Sequence, residues 1–391
     1  MNGQDTSHNS DERSRANRVG IITLPGETNY GNRLQLYASV RILAKLGFSG
    51  ESLLLKKQDS VLQHPKTLLK RAAGRPTSMP WENELRIGAF RRFGKLIPTR
   101  EICSIDEIER SDYSFFAVGS DQVWNPNYIF ECGGGPLPAR MYHYLAGPKA
   151  FREEMDWYFL RFAERDQRVT ISPSIGLNGL DRMQSQWLAK GLLGFERLSV
   201  REARGAEIIR ECTGREATVT CDPTLVLLPE EWLSVADDRL VPDYPYVFSY
   251  LLGNNLDSYR QPLDLVTHGG KIPVIAQDGP KGDFRVDMGP AEFLSLIKNA
   301  SHVITDSFHA SLFSSLFETP LTIVVRDGGE NLFSRLSTLS EMLGIQDKIF
   351  RPGRDKYDES ASKDFEGVAD RIDIQRTIFM NFLDASLDIL R

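Results

Sequence analysis

Asp306, Ser307 and His309 sit between the apolar run 302–305 and the apolar-faced segment 311–317. That order reads as a buried parallel strand, a polar turn and a helix, with Asp306 and Ser307 in the cap region. The first N–H groups of such a helix point beyond the strand's carboxyl end and favour an anion. A histidine entering the helix there can carry protons near neutral pH. The alternative is a histidine that only caps a helix or satisfies a core hydrogen bond. Arg201 holds a comparable place, after the strand-like residues 198–200 and before a helix running through 206–211. A guanidinium at that point can grip phosphate or carboxylate in bidentate fashion, unless it is only an ion-pair partner of Glu202.

Two further clusters follow strand-like runs. Gly119 allows a tight exit from residues 113–118, and Ser120, Asp121, Gln122, Trp124 and Asn125 then crowd hydrogen-bonding groups and an indole face into a few residues, as sugar binding requires. A capped turn with a packed tryptophan explains the same residues. Asn29, Tyr30 and Asn32 form a similar cluster after residues 19–24. The run Gly133–Gly134–Gly135 lacks the flanking strand and helix of a dinucleotide loop and reads as a flexible loop. No GxSxG, Walker A, HExxH, paired-cysteine metal motif or Asp-x-Asp is present. The inventory points to a metal-free site, without a cofactor, whose substrates are anions and hydroxyls.

The elements that must position these residues alternate. A helix is expected over about 33–46, with further β-loop units at 113–122, 168–176 and 197–202. A second series has strands at 246–251, 272–276, 301–305 and 321–325 and helices at 291–299 and 309–318. This implies an α/β fold of mostly parallel sheets with helices on both faces. The Pro- and acid-rich stretch 229–245 separates a first domain, 19–235, from a second, 240–391, and residues 1–18 read as a disordered tail. An amphipathic helix over 372–390 is able to pack back across the first domain.

The chain has 391 residues, 41% hydrophobic and 26% charged, enough to bury a sizeable core. A polar start without a hydrophobic signal region, and no apolar stretch of bilayer length, lead to the expectation of a cytoplasmic protein. Net charge −6 gives no reason to expect nucleic-acid binding. Cys103, Cys132, Cys212 and Cys221 are scattered without metal or redox spacing, as reduced thiols would be. Residues 64–100 differ from the rest, since Lys66, Lys70, Arg71, Arg75, Arg86, Arg91, Arg92, Lys95 and Arg100 face only Glu82 and Glu84. This is either a solvated helical insertion or a peripheral contact with anionic membrane, anchored by Trp81, Phe90 and Phe93.

Several blocks, in order, resemble the polysaccharide pyruvyl transferase family: Asn29-Tyr30-Gly31-Asn32 with Leu34-Gln35-Leu36-Tyr37-Ala38, the run 118–126, Ser199-Val200-Arg201-Glu202, Cys221-Asp222-Pro223-Thr224-Leu225, the run 289–294 and Thr305-Asp306-Ser307-Phe308-His309-Ala310. They span most of residues 20–350. The family usually has glycine where this chain has Ala310, and a methyl there is expected to narrow the approach to the anion site. The resemblance implies two Rossmann-like domains in a GT-B-like arrangement around an interdomain cleft, with the first domain on the acceptor side and the second on the donor side. It also implies phosphoenolpyruvate as donor and a sugar diol of a surface glycan or its lipid-linked precursor as acceptor, joined as a cyclic pyruvate ketal. His309 would then be the general acid/base and Arg201 the anion clamp. Asn29, Tyr30, Asn32, Ser120, Asp121, Gln122, Trp124, Asn125, Glu202, Asp222, Asp306 and Ser307 would contact substrate. Two other readings remain: a metal-independent GT-B glycosyltransferase using a nucleotide sugar, and a non-catalytic carbohydrate-binding member of a glycan-assembly complex.

Overall fold

The computed structural model of the protein describes residues 17–26, 28–56, 80–129, 153–253, 257–276, 284–285, 287–325 and 330–388. Most of the expected tail, residues 64–79 of the basic stretch, Cys132 and the glycine run 133–135 lie outside them. The first unit runs β1 (Arg18–Ile22), α1 (Tyr30–Lys45), β2 (Ser49–Leu55), α2 (Pro80–Gly94), β3 (Thr99–Ile102), β4 (Phe115–Val118) and β5 (Arg168–Thr170). Then follow α3 (Arg182–Leu192), β6 (Ser199–Val200), α4 (Ala203–Thr213), β7 (Thr218–Val219), α5 (Pro223–Val226) and α6 (Pro229–Leu233). The second unit runs β8 (Val247–Tyr250), α7 (Asp257–Val266), β9 (Val274–Ala276), β10 (Phe284–Arg285), α8 (Pro290–Lys298), β11 (His302–Thr305), α9 (Phe308–Leu316), β12 (Leu321–Val324), α10 (Glu330–Leu343) and β13 (Ile349–Phe350). Helices α11 (Glu359–Lys363) and α12 (Val368–Asp388) close the described chain.

Every pairing in the two large sheets is parallel. Parallel strands covered on both faces need apolar side chains in both directions, and β4 and β11 are buried throughout. The first sheet has the order β3-β2-β1-β4-β5 and the second β10-β9-β8-β11-β12-β13. Each therefore reverses direction once, between β1 and β4 and between β8 and β11. Such reversals open a crevice beyond the carboxyl ends of the two central strands. The fold is thus two Rossmann-like units in the GT-B manner, and loops from both reversals line one cleft.

The departures from sequence expectation have local causes. Helix α1 begins three residues early, because the Asn29 side chain caps it by accepting the Asn32 N–H at 3.0 Å. Strands β2 and β3 were not expected, since neither shows the strand-turn signal of its neighbours, and β6 pairs with β7 in a separate two-stranded sheet. The stretch 229–245 is no bare linker. Trp232 in α6 is fully buried, and its ring meets Tyr37 of the first unit at 5.5 Å and Phe313 of the second at 5.1 Å. Helix α12 lies against the 221–227 segment, where Arg376 donates to the carbonyls of Leu225 and Leu227.

The basic stretch requires a correction. Phe90 and Phe93 on α2 belong to the main core and are closed to a bilayer. Arg86 lies over the rings of Tyr30 and Phe90 at 5.5 and 5.6 Å and donates to the Thr28 carbonyl. Arg92 pairs at 3.3 Å with Glu292 of α8, which Arg239 also contacts. Aromatic residues spaced by three on a helix face the core more readily than solvent. Phe90, Phe93, Arg86 and Arg92 are therefore spent on internal contacts, while Arg91 and Lys95 are exposed. Among the described residues no helix is long and apolar enough to cross a membrane.

Candidate functional site

A buried charge hub sits behind the cleft. Asp222 caps α5, its Oδ1 accepting the Thr224 N–H and hydroxyl at 3.0 and 2.7 Å. Its Oδ2 accepts Ser120 Oγ at 2.8 Å and Arg201 Nη1 at 2.6 Å. Burial alone would raise the Asp222 carboxyl, but His309, Arg201 and the Thr224 N–H outweigh it and hold the group well below the usual carboxylate range. Burial likewise disfavours charge on Arg201, while Asp222, Asp121 and Glu202 reverse this and raise its pKa. Arg201 Nη1 also reaches Ser120 Oγ, and its guanidinium stacks on the Phe308 ring at 4.7 Å.

His309 links this hub to open space. It is in the first turn of α9, and its Nε2 lies 3.7 Å from Asp222 Oδ2, an ion-pair separation longer than a hydrogen bond. Its imidazole is 13% exposed and borders a cavity of about 680 Å³. The ring rests on the first turn of α1 so closely that a Cβ on Gly31 would overlap its Nδ1 and Cε1. Glycine is required there for approach, since its backbone angles are ordinary. Ser307 caps α9 without a side-chain hydrogen bond to the helix. The residue lines the cavity beside first-turn N–H groups that the helix cannot satisfy itself.

The opposite wall belongs to the first unit. Asn29, Tyr30, Asn32, Asp121 and Gln122 line the cavity. Asn32 Nδ2 donates to the Leu24 carbonyl at 2.8 Å and approaches Asp121 Oδ2 at 3.4 Å. Asp121 has φ 85°, a left-handed conformation uncommon outside glycine. Its carboxylate takes up the Gln122 N–H at 2.8 Å. Tyr30 is buried and donates its hydroxyl to the Met288 carbonyl at 2.9 Å. Burial raises its pKa against the pull of Arg86.

Other expected contacts turn inward. Trp124 is fully buried, stacked on Phe159 with its indole N–H donating to the Tyr158 carbonyl, and offers no face to a sugar. The packed-turn explanation holds, because a short turn beside a large core buries an indole readily. Asn125 is buried against Gln122, and Ser120 is bound to Asp222. Glu202 caps the Ile175 and Gly176 N–H groups at 2.8 Å and is not the partner of Arg201. Asp306 borders the cavity, yet its carboxylate accepts from Leu252 N, Gly253 N and the Tyr259 hydroxyl. Ala310 packs in the core, so its methyl does not narrow the cleft. Arg201 is not part of the cavity wall.

Sequence reasoning missed Tyr250, Phe293 and Arg335, which also line the cavity. Tyr250 ends β8 at the second reversal, a place the strand alternation indicates. Arg335 lies inside α10, where no motif marks it. Among the described residues no group of three or more His, Cys, Asp or Glu is placed to hold a metal ion.

A family model described as polysaccharide pyruvyl transferase matches residues 29–328. Among solved structures, UDP-GlcNAc 2-epimerase from Methanocaldococcus jannaschii is 13% identical, covers 92% of each chain and has a TM-score of 0.42. The enzyme of the same name from Neisseria meningitidis, bound to UDP-GlcNAc, is 10% identical over 93% of each chain with a TM-score of 0.43. MurG from Acinetobacter baumannii is 9% identical over 92% of this chain and 95% of its own, with a TM-score of 0.34. Scores this low bear on no residue of the cleft. No curated protein matches the chain significantly.

Proposed function

Since the chain belongs to the polysaccharide pyruvyl transferase family, we propose that it transfers pyruvate from phosphoenolpyruvate to two hydroxyls of a sugar, forming a cyclic ketal and releasing phosphate. The acceptor is a surface glycan or its lipid-linked precursor. The supporting observation is His309, held on the cavity wall with an anionic, fully buried Asp222 behind its Nε2. A proton goes to the methylene carbon of the enol phosphate, and the first sugar hydroxyl adds to the neighbouring carbon and gives up its proton. The C–O bond to phosphate then breaks, and the second hydroxyl closes the ketal as its proton leaves with phosphate. The balance needs no redox partner and no cofactor. His309 supplies and recovers protons, while Asp222 stabilises the imidazolium between steps.

Arg201 is a positioning residue here, keeping Asp222 ionised and in place. Ser307 and the first-turn N–H groups of α9 face the donor's negative charge. Asp121, Asn29 and Asn32, on the opposite wall, receive the acceptor hydroxyls. The test is phosphate release from phosphoenolpyruvate with candidate diol sugars, followed by mass spectrometry of the product. Acceptor-dependent release and a pyruvate ketal are expected. Release of a nucleotide from a sugar nucleotide, with phosphoenolpyruvate untouched, overturns the reading.

A further inference from the structure

We infer that Glu292 is a positioning residue for the cleft: it ties the two units together along residues 288–292 and thereby holds the first turn of α1 against His309. The carboxylate is 2% exposed, and its partners come from three parts of the chain. Oε2 accepts the Gly289 N–H at 2.8 Å at the start of α8. Oε1 meets Arg92 of α2 at 3.3 Å, and Arg239 of the stretch between the units also pairs with it. The same stretch is fastened a second time, where Asp237 N donates to the Ala291 carbonyl at 3.1 Å. Gly289 lies so close to Ala89 of α2 that a Cβ there would overlap it.

The tie reaches the cavity in two short steps. Phe293, the residue after Glu292, lines the cavity and stacks on Tyr30 at 4.8 Å. Tyr30 donates its hydroxyl to the Met288 carbonyl, and the next residue, Gly31, is the one on which the His309 ring rests. A buried carboxylate deprived of its cations is driven to recover water. Water reaches this one as α2 and the connecting stretch part from α8. Loss of the two arginines therefore loosens the spacing between the wall that carries His309 and Ser307 and the wall that carries Asn29, Asn32 and Asp121.

The positioning role rests on His309 acting in the transfer proposed above, so distance and turnover are read separately. Spin labels go on Cys103, exposed beyond β3, and on Asp264→Cys, exposed on α7, with Cys132→Ser and Cys212→Ser in the background. Label-to-label distances in the full chain are compared for this background, Arg92→Gln, the double variant Arg92→Gln with Arg239→Gln, and the double variant Arg92→Lys with Arg239→Lys. Each is checked for a native melting curve. The glutamine pair is expected to broaden the distance distribution, and the lysine pair to keep it narrow, because an ammonium still neutralises the carboxylate. Arg92→Gln alone, at a half-exposed side chain, gives a smaller change of the same kind and decides the matter if the double variant does not fold. With the glutamine pair turnover should fall about tenfold or more, since a misplacement of about 1 Å can cost on the order of 100-fold. The acceptor KM should rise while the phosphoenolpyruvate KM stays at the wild-type value, because the donor seats on the second unit alone. A wild-type distance distribution in the natively melting glutamine variants overturns the tie. A broadened distribution with wild-type turnover overturns the positioning role. If wild type releases no phosphate from phosphoenolpyruvate, the transfer reading falls, and the distances still decide the tie.

Discussion

The turn after β4 and the turn after β11 are built from the same kind of sequence, yet they end in opposite conditions. After β4, Ser120 bonds to Asp222, Trp124 enters the core and Asn125 folds onto Gln122, leaving Asp121 and Gln122 at the cavity. After β11, Ser307 and His309 both reach the cavity, and only Asp306 is spent inward. A polar residue in a turn becomes a ligand contact only when no buried partner claims it. For Ser120 that partner, Asp222, is 102 residues away. The β4 turn is thus mainly a brace for the hub, and the β11 turn is where the proposed chemistry would take place.

The hardest test of this division is removal of the imidazole. His309→Ala should lower turnover on the order of 10²- to 10⁴-fold, as loss of an acid/base does, with the melting curve unchanged. Gly31→Ala should approach that effect without removing any polar atom, since the new methyl displaces the ring. A Gly31→Ala enzyme with wild-type turnover would break the claim that His309 works from its present position.

Asp222→Asn tests the hub from behind. It keeps the shape but leaves the buried Arg201 guanidinium without its anion, and breaking a buried pair costs about 3–5 kcal/mol. Urea unfolding should show a loss of that size together with reduced turnover. A variant within about 1 kcal/mol of wild type would mean that Asp222 carries little of the architecture.

The local parts of this arrangement were legible and the long-range parts were not. The cap at Ser307, the strand 302–305 and the entry of His309 into a helix follow from apolar runs broken by polar residues. The two sheet reversals that bring β1, β4, β8 and β11 to one cleft are tertiary facts, and so is the choice of Asp222 over Glu202 as the partner of Arg201. Trp124 and Phe90 misled in the same way. An aromatic beside charges reads equally as a binding face or as core, and packing decides. Arg335 gave no signal, because a single arginine in an amphipathic helix looks like surface.

The histidine at the start of β11 provides a pH test. His302 is buried at the start of β11, its Nε2 2.8 Å from the Thr322 hydroxyl. Burial, aided by Lys363, pushes its pKa down from 6.5 to about 4. The folded state therefore binds fewer protons than the unfolded chain between these values. Stability from neutral His302 is fully present above pH 6.5 and is lost as pH falls toward 4, up to about 3 kcal/mol. The difference in unfolding free energy between wild type and His302→Gln, followed from pH 7 to 4, should shrink by that amount. A pH-independent difference would mean that His302 charges without penalty in the fold.

Trp124→Phe gives the smallest effect and the sharpest contrast. The indole donates to the Tyr158 carbonyl inside the core, so phenylalanine leaves a buried acceptor unsatisfied and a small void, together worth about 1–3 kcal/mol. Stability should fall by that much while KM for donor and acceptor stays at the wild-type value, because no part of the indole meets the cavity. Asp121→Asn, in the same turn, should do the reverse. Asparagine tolerates the left-handed backbone at φ 85°, so the fold survives while acceptor KM rises with the loss of a charged acceptor for sugar hydroxyls. If Trp124→Phe raises acceptor KM and Asp121→Asn does not, the β4 turn binds sugar through its aromatic face, and its description as a brace is overturned.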